Sequence, residues 1–345
     1  MVVEEPLHED CPAPHLRIGT VQSGIRVAVP VIPHGTSPED AVAIQEELIG
    51  HWLAVRPAGP RIFWYYTPAA MAFTRSLARD LTIYDNMDEL SAFRGASPSL
   101  LELEVELLGR AEVVFTGGAS LYEAKRHRHD KVHCFPSSID VGHFGRARKD
   151  PPEPKDLAAV PHPRLGFFGV IDERFDVDLL DSVAGLRPDW HFVMIGPVVK
   201  IDPALLPCAA NIHWLGPKPY DDLPEYLAHW DLGLMPFALN ESTRFISPTK
   251  TPEFLAAGLQ VVSTPVRDVV DAYGKEGFVE IASTAAEVVS AVEHLMQRPR
   301  NAWLERVDAR LATGSWDTTW AAMQAMIVTA LGAVVRPAPR LASAT

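Results

Sequence analysis

The stretch RFISPTKTPEFLAAGLQVVSTP, residues Arg244 to Pro265, sets a Ser-Pro-Thr-Lys cluster before an apolar helix, then a glycine, then a β-branched strand. Lys250 falls in the first turn of that helix, where the macrodipole is positive and a cation is disfavoured. An anion lying between the lysine and the free N–H donors of the helix end would reverse the penalty. A lysine solvated at a surface turn is the plainer alternative. Ser247 can cap the helix with Pro248 in its first turn, which leaves the N–H groups of Thr249 and Lys250 pointing outward. That assembly fits a diphosphate. Glu253, one turn on, projects at the same mouth, where it can accept from vicinal ribose hydroxyls or merely complement the dipole.

The segment sits inside a repeating pattern. From residue 164 the apolar runs RLGFFGV, HFVMIGP, NIHWLG, LGLMPF, QVVST and FVEIAS alternate with amphipathic stretches such as DDLPEYLAHW and TAAEVVSAVEHLMQ. Alternation of this kind predicts a doubly wound α/β domain over 164–299, with ligands beyond the carboxyl ends of its strands. A Pro-rich, charged linker, 149–163, precedes it. Residues 1–148 show a second α/β series: a hairpin around Ser23-Gly24, a helix capped by Ser37, then RIFWYYTP, LTIYDN, EVVFTGG and KVHCFP as strands. MVVEEP leaves only a strand remnant where such folds open with a strand-helix unit, so the expectation is an N-terminal domain without that unit, either because the chain begins late or because the fold dispenses with it. Residues 300–335 read as crossover helices and 336–345 as a disordered tail.

With 345 residues, 47% hydrophobic and 22% charged, the chain is long enough for two cores. A formal net charge of -13 argues against nucleic-acid binding, which needs a concentrated basic face. The run KRHRHDK, Lys125 to Lys131, is the exception and reads as a solvated helix face that could meet an anionic membrane. Cys11, Cys134 and Cys208 show no metal or disulfide spacing, so a reducing compartment fits. The acidic start and the lack of any span-length apolar run make a cytoplasmic location the expectation, with peripheral contact at the inner face of a membrane.

Several polar groups fall just after predicted strands of the second domain. They are Gly169, Asp172, Glu173 and Arg174 after the first, Gly196 and Lys200 after the second, Lys218 and Tyr220 after the third, and Asn240 to Lys250 after the fourth. In the first domain, IYDNMDEL ends a strand with Asp85 and Asp88, either of which could orient a substrate hydroxyl or serve only a strand end and a turn. FTGGAS is a further strand-glycine-helix junction, where paired glycines more commonly serve close packing. Trp190, Trp214, Trp230 and Trp316 read as core residues.

The segment SPTKTPEFLAAGLQVVSTP resembles the donor-binding segment of GT-B glycosyltransferases of the family 4 type. VHCFPSSIDVGHF, Val132 to Phe144, is similar to the segment closing their N-terminal domain, and GSWDTTWAAM to their terminal region. The resemblance runs from about Ile62 onward and is strongest in the second domain. It implies two facing Rossmann-like domains with a C-terminal helix returning to the N-terminal one, and transfer of a sugar from a nucleoside diphosphate to a hydroxyl acceptor with retention of configuration. It further implies Lys250 on the donor diphosphate, Glu253 on the ribose, and Arg174 offsetting leaving-group charge. Gly169 would border the donor, with Asn240, Arg244, Ser247 and Thr249 around it. Phe245 stands where the first glutamate of a Glu-x7-Glu pair is expected, and Val170 where an arginine is usual; Asn240, Glu241 or Arg244 are the candidate substitutes for the missing carboxylate. No acceptor-side histidine is matched.

Some relatives of this type carry the name UDP-galactopyranose mutase, but no Gly-x-Gly-x-x-Gly fingerprint for a flavin is present. No Asp-x-Asp run is placed for a metal. Neither a permanent cofactor nor a metal is expected. Two other readings stay open: a nucleotide-sugar 2-epimerase on the same fold, and a non-catalytic nucleotide-sugar-binding subunit.

Overall fold

The computed structural model describes residues 1–21 and 23–335, so the tail expected at 336–345 lies outside the described residues. Strands are β1 (Val2–Val3), β2 (Leu7–Glu9), β3 (His15–Thr20), β4 (Arg26–Pro33), β5 (Ile62–Tyr65), β6 (Leu81–Asn86), β7 (Val113–Thr116), β8 (Val132–Cys134), β9 (Arg164–Phe168), β10 (His191–Ile195), β11 (Ile212–Gly216), β12 (Leu232–Met235), β13 (Val261–Ser263) and β14 (Val279–Ile281). The predicted strands are all found. Two compact units divide the chain: residues 1–85, 97–114 and the end of the C-terminal helix from Val328 make one, and residues 86–96 and 115–327 the other. The unit boundaries therefore interleave along the chain.

In the first unit β3 and β4 form the expected antiparallel hairpin, Leu16 opposite Pro30 and Ile18 opposite Ala28. β1 and β2 pair in turn with β4, both parallel. Helix Pro38–Ala54 follows, with Ser37 Oγ accepting from Asp40 N at 3.1 Å. β5 pairs with β6 in parallel, Phe63 opposite Thr82 and Trp64 opposite Ile83. Between β5 and β6 the chain forms a 3₁₀ turn at Pro68–Ala70 and one α turn at Met71–Thr74.

The second unit is built on a six-stranded sheet of order β11-β10-β9-β12-β13-β14, parallel at every pairing. Reading these strands as one to six gives 3-2-1-4-5-6, so connections reverse direction between β9 and β12. The carboxyl ends of those two strands are therefore where a ligand crevice opens. β9 is buried at all five residues and β12 at all four, which explains their apolar sequence after Arg164, whose guanidinium is paired with Glu153. Gly166 in β9 has no room for a side chain, because an added Cβ would meet the buried Trp230 ring.

Packing bears on three expectations. The segment 149–163, read as a linker, is packed in place: Leu157 and Val160 are buried, and Asp156 accepts from Lys218 Nζ at 2.6 Å and Tyr226 Oη at 2.9 Å. The basic run is not wholly solvated, since Lys125 ends its helix buried and paired with Glu89 at 2.6 Å. Trp190 and Trp230 are core and Trp214 is half-buried, but Trp316 is 52% exposed at the start of helix Trp316–Val335. Among the described residues no helix is long and apolar enough to cross a membrane.

Gly166→Ala should lower stability by about 3 kcal/mol, the upper range for overpacking a rigid core. Urea unfolding of the variant beside the wild type measures it. An unchanged midpoint would show that the Trp230 contact yields.

Candidate functional site

Two loops meet at the switch point because two glycines permit it. Gly169 follows β9 with φ +140° and Gly196 follows β10 with φ +144°, a range that L side chains rarely adopt. A Cβ on Gly196 would collide with the Gly169 carbonyl, and a Cβ on Gly169 with the Lys250 side chain. The backbone thus lies flat beneath Lys250. Helix Lys250–Ala256 brings the lysine there and ends at Gly258, φ +83°, as the quoted segment predicts.

Ser247 does not cap this helix. Thr249 occupies the cap position with helical backbone and no side-chain cap bond, and the Pro248 carbonyl accepts from Thr251 N at 3.3 Å. Ser247 is used elsewhere: it lies against Gly118, where an added Cβ would meet both Ser247 and Asp268. Asp268 Oδ1 accepts from Ser120 N at 3.0 Å, so the Gly117-Gly118 junction serves close packing. Burial pushes the Asp268 carboxyl up, and hydrogen bonds from Ser120, Ala119 and Ser247 oppose that.

Lys250 and Glu253 are the electrostatic centre. Among the described residues neither has an ion-pair partner within 4.0 Å. Lys250 Nζ lies 5.8 Å from the Phe167 ring centroid. Burial pushes the ammonium down; Glu253 opposes the shift, Arg174 adds to it and Asp172 opposes it. Burial pushes the Glu253 carboxyl up to about 7, against the pull of Lys250. A cation and a carboxylate, both desolvated and one helical turn apart without closing a salt bridge, are poised for a ligand with complementary groups.

Arg174 faces the same region but is already engaged. Its Nε donates to Asp172 Oδ1 at 3.0 Å and its second guanidinium nitrogen to Oδ2 at 2.7 Å, a bidentate clamp on a buried carboxylate. Its guanidinium also lies 5.3 Å from the Phe93 centroid. Asp88 is half-buried nearby. Burial raises its carboxyl, Arg174 lowers it and Asp172 raises it. Glu89, next in sequence, holds this segment through Lys125, and Asn86 Nδ2 donates to the Asp88 carbonyl at 2.8 Å.

The structure does not bring every candidate together. Asp85 belongs to the first unit, buried, accepting from Trp64 Nε1 at 3.1 Å, with its carboxyl pushed up to about 6 by burial. Asn240 is spent on structure: its Oδ1 accepts from Thr243 N at 3.2 Å and its Nδ2 donates to the Glu173 carbonyl at 2.8 Å. Arg244 is exposed, 5.2 Å from the Phe245 centroid and loosely paired with Glu241 at 3.5 Å. Thr249 borders a small cavity with Ser247 and Asp268. Sequence reasoning missed Phe93, whose ring also lies 5.1 Å from Lys200 Nζ; only tertiary folding brings residue 93 to residues 174 and 200.

A Rossmann-ordered parallel sheet, with a half-buried lysine and glutamate at its switch point, defines an α/β fold of the kind that takes ligands at its strand ends. Residues 162–298 match the family described as Glycosyl transferases group 1. A Bacillus subtilis (strain 168) protein provisionally named as the teichuronic acid biosynthesis glycosyltransferase TuaH is 28% identical over 217 residues. That match takes in 58% of this chain and 54% of the relative, so the chain matches about half the length of that curated protein. Among solved structures, sucrose-phosphate synthase from Thermosynechococcus elongatus superposes with TM-score 0.69 and 14% identity, over 96% of this chain and 89% of that one. Anabaena Alr3699/HepE in complex with UDP and glucose gives 0.65 and 16%, over 89% and 87%. The fold is that of the GT-B glycosyltransferases.

The Glu253 carboxyl, raised in the fold from an ordinary value of 4.5 to about 7, binds its proton more tightly folded than unfolded. Its contribution to stability is therefore full below about pH 4.5 and declines as pH rises through about 7. The stability difference between wild type and Glu253→Gln should fall by on the order of 2–3 kcal/mol across that window. Paired urea titrations at a series of pH values read it; a pH-independent difference would mean that Glu253 titrates normally.

Proposed function

We propose that this chain is a retaining glycosyltransferase that moves a sugar from a nucleoside-diphosphate sugar to a hydroxyl acceptor, in cell-surface polysaccharide or glycolipid synthesis on the cytoplasmic side of a membrane. The observation that carries the reading is Lys250, desolvated and without a counter-ion above the flat backbone of Gly169 at the sheet's switch point. A diphosphate supplies what that ammonium lacks, and the first N–H groups of the helix, at Thr249 and Lys250, add donors. Glu253 accepts from the ribose hydroxyls. The family match over 162–298 and the UDP named with the Anabaena structure support a nucleotide donor.

Chemistry then follows from charge. As the glycosidic C–O bond breaks, negative charge gathers on the leaving diphosphate, and Lys250 with the helix N-terminus stabilises it in place. Arg174, held by Asp172, is a second fixed cation whose direction is set by the clamp rather than by solvent. Asp88, with its raised carboxyl, orients the acceptor hydroxyl beside Arg174. Asp85, buried against Trp64 in the other unit, is a structural carboxylate in this scheme.

Phe245 favours a second reading, a nucleotide-sugar-binding subunit without turnover, because a phenyl ring cannot accept from the donor sugar's hydroxyls. Titration with several nucleoside diphosphates, followed by transfer assays across an acceptor panel, separates the two: binding with no turnover of any donor supports the subunit. Nucleoside diphosphate released only when an acceptor is present excludes a 2-epimerase.

Lys250→Ala should reduce turnover by roughly 10²–10³-fold, the scale for removing one preorganised charge-stabilising contact. Nucleotide binding should weaken with it. Steady-state kinetics and calorimetry check both, and unchanged donor binding and transfer would remove Lys250 from the phosphate site.

A further inference from the structure

Phe93 carries two cations on one ring. Arg174 Cζ lies 5.3 Å and Lys200 Nζ 5.1 Å from its centroid. Arg174 is neutralised by Asp172, whereas exposed Lys200 has no acidic partner among the described residues. The Lys200 backbone is left-handed, φ +60°, a conformation that a residue with a long side chain rarely holds without a reason. That reason is not the turn alone, since glycine would take it without strain.

The surrounding framework is rigid. Pairing continues past the ends of β9 and β10: Ile171 N donates to the Pro197 carbonyl and Val199 N to the Ile171 carbonyl, both at 3.0 Å. This carries Lys200 level with the Asp172 to Arg174 loop. The segment bearing Phe93 is tied to the same place, with Arg94 N donating to Glu173 Oε1 at 3.3 Å and Ser242 Oγ to the Ala92 carbonyl at 3.1 Å. Asp172 already meets Arg174, so among the described residues the charge on this ring left without an acidic partner is that of Lys200.

We infer that Lys200 is a specificity-determining residue that binds an anionic group, phosphate or carboxylate, carried by the sugar acceptor, with Phe93 as its brace. The inference rests on the proposed transferase reading. The acceptor is the bearer because Phe93 belongs to the segment that follows Asp88, the acceptor-side carboxylate, while Lys250 serves the donor. A neutral sugar lacks the group that Lys200 is held to meet.

Calorimetry on the full chain tests this. UDP, ADP and GDP are titrated first; then glucose 6-phosphate, glucuronate and glucose are titrated into protein saturated with whichever nucleotide binds, or into free protein if none does. One or both anionic sugars should bind at least about 10-fold tighter than glucose, the scale of a charge-assisted contact, and which one binds separates phosphate from carboxylate. Lys200→Ala should abolish that preference and leave nucleotide affinity within about twofold. Lys200→Gly should do the same without lowering Tm, and Phe93→Trp should keep the preference that Phe93→Leu loses. Anionic sugars bound equally by wild type and Lys200→Ala, or no tighter than glucose, would overturn the inference, as would loss of nucleotide and sugar together in Lys200→Ala. Nucleotide binding without anionic-sugar binding sinks Lys200 and spares the transferase reading. Lys200-dependent sugar binding in a protein that binds no nucleotide does the reverse.

Discussion

Lys250 can lie across the carboxyl ends of the central strands only because Gly169 and Gly196 present bare backbone beneath it. A side chain at Gly196 would strike the Gly169 carbonyl, and one at Gly169 would strike the lysine. Both glycines take positive φ, so the two loops after β9 and β10 turn where no L side chain is comfortable. Everything that the site can do follows from this close approach. It desolvates the ammonium, lets Glu253 share the same mouth, and sets the loop that continues to Asp172 and Arg174.

The folding cost of such a site is carried by the sheet. β9 and β12 are buried throughout and flank the switch point, so the loops after them rest on a framework with little freedom to shift. Against that framework a half-buried Lys–Glu couple with no ion pair closed is tolerable but not optimal. Stability traded for a waiting charge is common where a ligand completes the structure. Arg174 shows the contrasting solution: its charge is matched within the protein by Asp172, which fixes its direction and reduces its net field.

The strands of the six-stranded sheet were legible in sequence because its central members, β9, β10, β12 and β13, are buried along nearly their whole length and read as short apolar runs. Their spatial order was not, since nothing local in β11 or β14 says that they form the edges. Lys250 and Glu253 were legible from their place at a helix start after a strand. Ser247 misled, because its residue type suits a cap while its position against Gly118 and Asp268 was set by segments far away in sequence. Asn240 misled likewise, its amide being consumed by Thr243 and the Glu173 carbonyl. Phe93 and Lys200 carry no local signature at all; their relation to Arg174 exists only in the folded chain.

A crystal structure of the protein with UDP tests the central claim most directly. The diphosphate should lie within hydrogen-bond reach of Lys250 Nζ, above Gly169, with the ribose hydroxyls on Glu253. Nucleotide bound away from the ends of β9 and β12, with Lys250 and Glu253 untouched, would contradict it.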